Sequence, residues 1–296
     1  METKSRTALF LFFGIFVLSW SSILIRWMGD LNPMIIAFYR LILSALVIAP
    51  FAGFRRKQIH LPKLASSKTK MLFAGLFLAL HFYTWITSLQ LTTVGNSIFL
   101  ESTHPLFGWL LSLFFLKESG GRRLLISFVL GVVGMYLIVS VDLAGNSRAL
   151  AGDLLAIFSA LCLAAYLLMA RMMTGHIPLL PYLVWIYGLA AFFMLLPLAG
   201  KGIPFWRISA MNWFLLFLLA LGPNLIGHSL LNWASRRIPI YKVNLAMLGE
   251  AVLATVYAGL LLNEIPQKSF FAGAVLILIS IGFAFWEREE ANISEA

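Results

Sequence analysis

The sequence has a single cysteine and few charged side chains, and both shortages restrict what the protein can be. Cys162 by itself forms no intramolecular disulfide and no cysteine-based metal cluster. Only 11% of the 296 residues are charged and 61% are hydrophobic, whereas roughly a quarter of the residues in soluble domains are charged. The chain contains no glycine-rich phosphate-binding loop, which excludes ATP hydrolysis by such a loop within these residues. These shortages are typical of a membrane-embedded protein.

Long apolar runs recur along the chain, each close to the roughly 20 residues that a helix needs to cross a bilayer. They do not alternate apolar and polar residues as the strands of a membrane barrel do, so we predict an all-α membrane protein. Ten spans are predicted, at approximately residues 8–28, 33–53, 71–89, 94–116, 124–141, 150–170, 180–199, 211–233, 243–262 and 269–286. Because nine spans follow the first, we interpret the first as a permanent helix and not as a secretory signal.

The positive charge is concentrated on one side of the predicted membrane. The formal net charge is +10, from 22 basic and 12 acidic residues. With a cytoplasmic N-terminus, 16 of the 22 basic residues lie in inner segments, Arg40 lies inside the second span, and five lie in outer segments: Arg26, Arg148, Lys201, Arg207 and Lys268. This asymmetry predicts that both termini are cytoplasmic. The basic segments lack interleaved aromatic residues and any nucleic-acid-binding motif, so membrane lipid is the expected partner and nucleic acid is not.

Two segments repeat after about half of the chain. The segment LHFYTWITS, with His81, Trp85 and Ser88, matches GHSLLNWAS, with His228, Asn232 and Ser235, 147 residues later. The segments FFLKE and LLLNE match at a displacement of 146 residues. We therefore predict a duplication with halves at residues 1–148 and 149–296. Because each half has an odd number of spans, five, the second half enters the membrane inverted, an organisation typical of secondary transporters.

The fourth predicted span contains polar residues where a lipid-facing helix would not. Residues 97–116, SIFLESTHPLFGWLLSLFFL, include Glu101, His104 and Pro105. A displacement of 146 residues makes His104 equivalent to Glu250 in the ninth span. Ionisable residues within spans usually face a bundle interior or an aqueous cavity, and they mark transport pathways. Pro105 cannot donate a backbone hydrogen bond, so we expect a bend at this depth.

The chain resembles the EamA-type branch of the drug/metabolite transporter superfamily. The resemblance is carried by the second span FYRLILSALVIAP, the span ends LKE and LNE, and the glycine-spaced GVVGMYLIV, each at its proper interval. It implies ten helices with cytoplasmic termini around a central cavity. It also implies export of amino acids, related metabolites or toxic organic cations across the bacterial inner membrane.

The polar and aromatic residues within the spans form the predicted substrate site. We expect helices one, three, four, six, eight and nine to surround it, the first and sixth being implied by the resemblance. The predicted site residues are Trp20, His81, Trp85, Glu101, His104, His228, Asn232 and Glu250. Hydrogen bonding between helices is the alternative for His81 and His228, and a buried ion pair is the alternative for the two glutamates. Arg40 is equally consistent with a structural partnership and with a substrate contact. Glu118 and Glu264 are expected to make contacts at helix ends.

Together these features predict a secondary transporter, working as an exporter of a small metabolite by alternating access. Coupling to protons is expected, because buried carboxyl and imidazole groups can exchange protons, and a passive carrier is the alternative. A channel or a lipid flippase of the same fold remains open. An intramembrane enzyme is disfavoured, because Glu101 and His104 have no evident third metal ligand and no nucleophile arrangement. No cofactor is expected, and the chain is expected to act as a monomer or homodimer.

Overall fold

The structure, a computed structural model, describes residues 2–29, 31–53, 61–115, 122–143, 146–173, 179–235 and 240–294. Within these ranges every regular element is a helix and there is no strand. The helices are α1 (Glu2–Leu18), α2 (Trp20–Trp27), α3 (Pro33–Gly53), α4 (Leu61–Leu91), α5 (Val94–Glu101), α6 (His104–Phe115), α7 (Arg122–Leu143), α8 (Ser147–Met172), α9 (Leu179–Gly200), α10 (Ala210–Leu219), a π-helical segment (Ala220–Gly227), α11 (His228–Ser235), α12 (Ile240–Leu262) and α13 (Lys268–Ser294).

The apolar helices match the predicted spans in position. Among the described residues, seven helical stretches are long and apolar enough to cross a membrane: Leu9–Trp27, Pro33–Ala52, Lys68–Leu91, Val94–Phe115, Ser147–Ala170, Leu180–Gly200 and Ala210–Leu231. Three shorter apolar helices, Leu125–Ser140, Ala246–Leu262 and Lys268–Phe283, lie at the other predicted positions. Within the described ranges the prediction of an all-helical protein is confirmed, and several helices are long and apolar enough to span a membrane. The number of spans and their orientation remain predictions.

Three of these stretches are interrupted. The first is interrupted at Ser19, whose hydroxyl donates to the Phe16 carbonyl at 2.8 Å, a local bond that often bends helices. The fourth stops at Glu101 and resumes at His104, as the proline at position 105 predicts. The eighth passes through the π-helical segment that contains Pro223. Such irregular backbone is tolerated at membrane depth only where protein or a cavity surrounds it.

Small residues let the helices approach closely. A Cβ atom added to Gly273 of α13 would lie 2.6 Å from the carbonyl oxygen of Gly134 in α7, so neither helix has room for a side chain there. In the same pair of helices, Ser127 and Ser280 each donate a hydroxyl hydrogen bond to the other's backbone carbonyl. Membrane helices pack by such close contacts and interhelical hydrogen bonds, because lipid supplies little hydrophobic driving force. These contacts fix α7 against α13.

Candidate functional site

A buried arginine lies at the centre of the bundle. Arg40 of α3 is only 2% exposed. Its Nε donates to Asn224 Oδ1 at 2.8 Å and its Nη1 donates to Ser21 Oγ at 3.2 Å. A buried charge is costly unless it is hydrogen-bonded, and these neutral partners meet part of that requirement. Arg40 therefore joins α3 to α2 and to the π-helical segment.

The π-helical segment positions the amide that holds Arg40. Asn224 follows Pro223 and is itself buried. Its Nδ2 donates to Ser44 Oγ at 2.9 Å, and Ser44 donates back to the Arg40 carbonyl at 2.7 Å. With Nδ2 engaged as a donor, Oδ1 faces the guanidinium as an acceptor. Single π-helical turns occur frequently at functional sites, and here the turn orients one ligand of the arginine.

Helix α4 supplies an aromatic wall beside the guanidinium. The Arg40 Cζ atom lies 4.1 Å from the Phe82 ring centroid and 5.6 Å from that of Trp85, both within cation–π range. Trp85 is parallel to the His81 ring, with centroids 6.3 Å apart. The Trp85 side chain is buried, and its Nε1 has no hydrogen-bond partner among the described residues. This indole N–H is therefore an unused donor beside Arg40.

Two glutamates approach Arg40 without touching it. Glu101 ends α5 and Glu250 lies within α12. Both are surrounded by protein yet keep partial exposure. Their charges interact with Arg40 and with one another. In the described part of the chain, however, the one ion pair within 4.0 Å is Arg26 with Glu264. The central charges are therefore neighbours that stay out of direct contact.

The interruption of the fourth span determines the orientation of His104. Pro105 has no N–H to donate to the Glu101 carbonyl, and His104 Nδ1 lies 3.3 Å from that carbonyl oxygen instead. A carbonyl only accepts, so Nδ1 carries the proton and Nε2 is left as an acceptor. The helix break therefore fixes both the ring and its tautomer.

The other two predicted histidines differ in their contacts. His81 Nδ1 lies 2.9 Å from Ser159 Oγ and 3.2 Å from the Ser159 carbonyl, which links α4 to α8. This contact matches the alternative of an interhelical hydrogen bond. His228 begins α11 directly after the π-helical segment and interacts electrostatically with Arg40. His81 interacts electrostatically with His104, His228 and Arg40, so the three imidazoles share one region.

The two remaining predicted site residues are Trp20 and Asn232. Trp20 follows the break at Ser19 and is half-buried against the Tyr257 ring, with centroids 5.0 Å apart. It also contacts Trp27 at 6.2 Å. Asn232 belongs to α11, but its side chain lies outside the described part of the structure. Of the eight predicted residues, five interact with Arg40, namely Trp85, Glu101, Glu250, His81 and His228, and His104 interacts with His81.

Several contributors to this cluster were missing from the predicted site. The second and seventh spans were not expected to line it, yet they supply Arg40 and Tyr187, whose side chains interact electrostatically. An isolated cation in an apolar span was the signal for Arg40. The signal for Asn224 was an amide directly after Pro223 in the middle of a span.

Comparisons with known proteins give a consistent result. The model of the EamA-like transporter family matches residues 5–140 and again residues 150–286. Two Bacillus subtilis (strain 168) proteins, named uncharacterized transporter YdfC and uncharacterized transporter YoaV, are each 24% identical to this chain. The first alignment covers 88% of this chain and 84% of YdfC, and the second covers 85% and 87% of YoaV. A crystal structure with 16% sequence identity shares the fold, with a TM-score of 0.65 over 95% of this chain and 96% of that one. The family and the relatives are described as transporters and not as enzymes.

Proposed function

The chain belongs to the EamA-like transporter family, and from that premise we propose that it is a secondary exporter in the bacterial inner membrane. It moves a small metabolite, such as an amino acid, an amine or a related organic cation, by alternating access. The observation that carries this proposal is the group of buried opposite charges, Arg40 against Glu101 and Glu250, beside three interrupted helices. Interrupted helices meeting charged groups near mid-membrane are the usual form of a transporter binding site.

We propose the predicted architecture of ten spans in two inverted halves, residues 1–148 and 149–296, with cytoplasmic termini. The double match of the family model supports the duplication. A contact between α7 and α13 supports the inversion. With a displacement of 146 residues, Ser127 is equivalent to Gly273 and Gly134 to Ser280, so the Ser127–Ser280 and Gly134–Gly273 contacts exchange with one another. Reciprocal contacts of this kind are the signature of a two-fold axis.

Alternating access requires contacts between the halves that form and break at each end of the bundle. Arg26 of α2 forms an ion pair with Glu264, which follows α12, and therefore joins residues from different proposed halves. Glu264 also accepts a hydrogen bond from the Val94 N–H at 2.8 Å, at the start of α5. These contacts support a closed state at the predicted outer end, from which the halves rock apart in the transport cycle.

The central carboxyl and imidazole groups support coupling to protons. Glu101 and Glu250 interact electrostatically with Arg40 and keep partial exposure, and a substrate ammonium group and a proton compete for their carboxylates. Binding of the ammonium group then displaces a proton, and export is driven by proton entry. A passive carrier would use the same groups only to orient its substrate.

Uptake into proteoliposomes tests this function. Radiolabelled amino acids and amines are supplied with and without an imposed pH gradient, to the parent and to Glu250→Gln, Glu101→Gln and the control Glu289→Gln. We expect the gradient to stimulate the parent and the control but not the central variants. If neither central substitution changes the response, the coupling is refuted and a passive carrier remains. If no compound is moved at all, the transport proposal fails for these substrate classes.

A further inference from the structure

We infer that Asp153 of α8 is a positioning residue for transport, because it holds the first turn of α5 and so keeps the predicted outer end of the bundle closed. This inference rests on the proposed transport function and deepens it. Asp153 then acts together with the Arg26–Glu264 contact at the same end. It is not among the predicted site residues.

Asp153 is a fully buried carboxyl group inside an apolar helix. Its exposed fraction is 0%, and it lies in the stretch Ser147–Ala170, which is long and apolar enough to cross a membrane. Its Oδ1 accepts a hydrogen bond from Thr92 Oγ1 at 2.7 Å and another from Asn96 Nδ2 at 3.4 Å. A carboxyl group within a span is costly, and it usually marks a functional position. Both of these partners lie in the first proposed half and Asp153 lies in the second, so the contact joins the halves.

Helix α8 packs directly against the turn between α4 and α5. A Cβ atom added to Gly152 would lie 2.8 Å from the Thr92 nitrogen and 2.9 Å from the Leu91 Cβ atom. No side chain fits there, so the glycine permits the close approach that brings Asp153 to Thr92. Because these residues belong to different proposed halves, an opening at this end must separate them.

Two carboxyl groups of the second proposed half hold the first turn of α5. Thr93 caps this helix, and its hydroxyl accepts from the Asn96 N–H at 3.2 Å. The Val94 N–H donates to Glu264, and the Asn96 side chain donates to Asp153. Negative groups are favourable at a helix N-terminus, where backbone N–H groups lack partners within the helix. Asp153 and Glu264 therefore act on the same turn of the same helix.

Helix α5 connects this contact to the central charges. It has eight residues, from Val94 to Glu101. At a rise of 1.5 Å per residue it is about 12 Å long. The helical backbone is interrupted at both of its ends, so α5 can move as a unit about these two positions. Release of its first turn by Asp153 therefore displaces Glu101 as well.

Thiol labelling measures whether Asp153 keeps this end closed. Val94 has an exposed fraction of 0%, so a Val94→Cys reporter in a Cys162→Ala background reacts with a maleimide when α5 moves away from its neighbours. The protein is placed in nanodiscs, where the reagent reaches both faces of the membrane. We expect Thr92→Val to speed the reaction at least about tenfold, the ratio for loss of one hydrogen bond to a charged group. Asp153→Asn should also speed it. Because both variants change the same contact, the double variant should react no faster than the faster single variant.

Two threonine variants are the matched controls. Thr92→Ser keeps the hydroxyl donor, and Thr87→Val removes a hydroxyl that donates to the Tyr83 carbonyl of its own helix at 2.6 Å. Both should react at the parental rate. An unchanged rate in Thr92→Val and in Asp153→Asn overturns the inference.

Two further positions separate an opening of the outer end from a structural role. A reporter cysteine at the buried Ser22 of α2 should also react faster in Thr92→Val, because the opening moves the halves and not only the α5 turn. The native Cys162 is buried too, and without a reporter it should stay unreactive in the same variant. Protection of the Ser22 reporter shows a local contact only, reaction of Cys162 shows general loosening, and either result overturns the inference. These rates need no substrate, so they decide the role of Asp153 even where uptake fails and the transport proposal is refuted.

Discussion

Breaking the Arg26–Glu264 contact should open one end of the bundle. Arg26 and Glu264 have side-chain exposures of 28% and 14%, so the pair is only partly solvated. Arg26 also donates to the Leu89 carbonyl at 2.6 Å, and Glu264 accepts from the Val94 N–H. The two side chains therefore tie the end of α2 to the ends of α4, α5 and α12. A Glu264→Gln substitution keeps an acceptor oxygen but removes the charge.

The size of the effect follows from this partial burial. A hydrogen bond to a charged group contributes about 1.5–3 kcal/mol when buried, and solvent screening reduces the value of an exposed pair to at most about 1 kcal/mol. For this intermediate case we expect about 1–2 kcal/mol. A change of that size multiplies an equilibrium constant by about 5 to 30. The fraction of molecules open at this end should rise by that factor if the open state is a minor one.

Thiol labelling in intact cells measures this opening. Cys162 is the single cysteine, so a Cys162→Ala background allows a reporter cysteine at the buried Ser22 of α2, four residues before Arg26. We expect Glu264→Gln and Arg26→Gln each to speed reaction with an impermeant maleimide supplied outside. Because both remove the same interaction, the double variant should react no faster than the faster single variant.

The control is Arg148, an arginine at the same end whose hydrogen bond within the described residues goes to a backbone carbonyl. Arg148 is exposed and donates to the Gln90 carbonyl at 3.3 Å. Arg148→Gln should leave the labelling rate of the reporter unchanged. Additive effects of Glu264→Gln and Arg26→Gln, or an unchanged labelling rate in both variants, would refute the reasoning that the Arg26–Glu264 contact closes the outer end.

Three further predictions concern packing, the helix break and topology. Gly273→Ala places a Cβ 2.6 Å from a backbone oxygen, so it should lower the free energy of unfolding in detergent by about 1–3 kcal/mol. Gly108→Ala is the control, because an added Cβ there has no atom within 4 Å, and it should leave the stability unchanged. Equal melting temperatures for the two variants would contradict this prediction. Pro105→Ala supplies an N–H that competes for the Glu101 carbonyl and should slow transport without loss of protein, and parental rates would show that the break is dispensable. A cysteine at Ser66 should react with an impermeant reagent only after permeabilisation, and labelling in intact cells would overturn the topology.

The positions of the spans could be predicted because the membrane imposes a length and a composition on each helix. The observed helices differ from the predicted spans outside the apolar runs, where the membrane no longer restricts helix length and composition. Helix α4 begins at Leu61 and not near residue 71, because the polar segment before Met71 continues the helix beyond the apolar run that hydropathy detects. The break between Glu101 and His104 was predictable from Pro105, since the lost N–H is a local effect.

The candidate site could be predicted only in part, because its main contacts join residues far apart in the chain. Glu101 and Glu250 were evident as carboxylates in apolar helices. The bond from Arg40 to Asn224 spans 184 positions, and that from His81 to Ser159 spans 78. Neither spacing is visible in a sequence pattern. They depend on how the helices pack, and for Asn224 on a π-helical turn that changes which residues face α3.

The proposed inverted halves have similar residues at the contact of α7 with α13 and different residues at the proposed substrate site. At the contact of α7 with α13, equivalent residues are small in both halves, so each half contributes the same kind of close contact to the pair. At the centre the equivalents diverge: His104 corresponds to Glu250, and a displacement of 147 residues, the spacing of Pro50 and Pro197, makes Arg40 correspond to Tyr187. In alternating access the two halves exchange their conformations between the inward-open and outward-open states. The packing contacts should therefore be similar in both halves, so that both states are accessible. The central residues need not match, because the proposed substrate lies between the two halves and contacts both of them in each state.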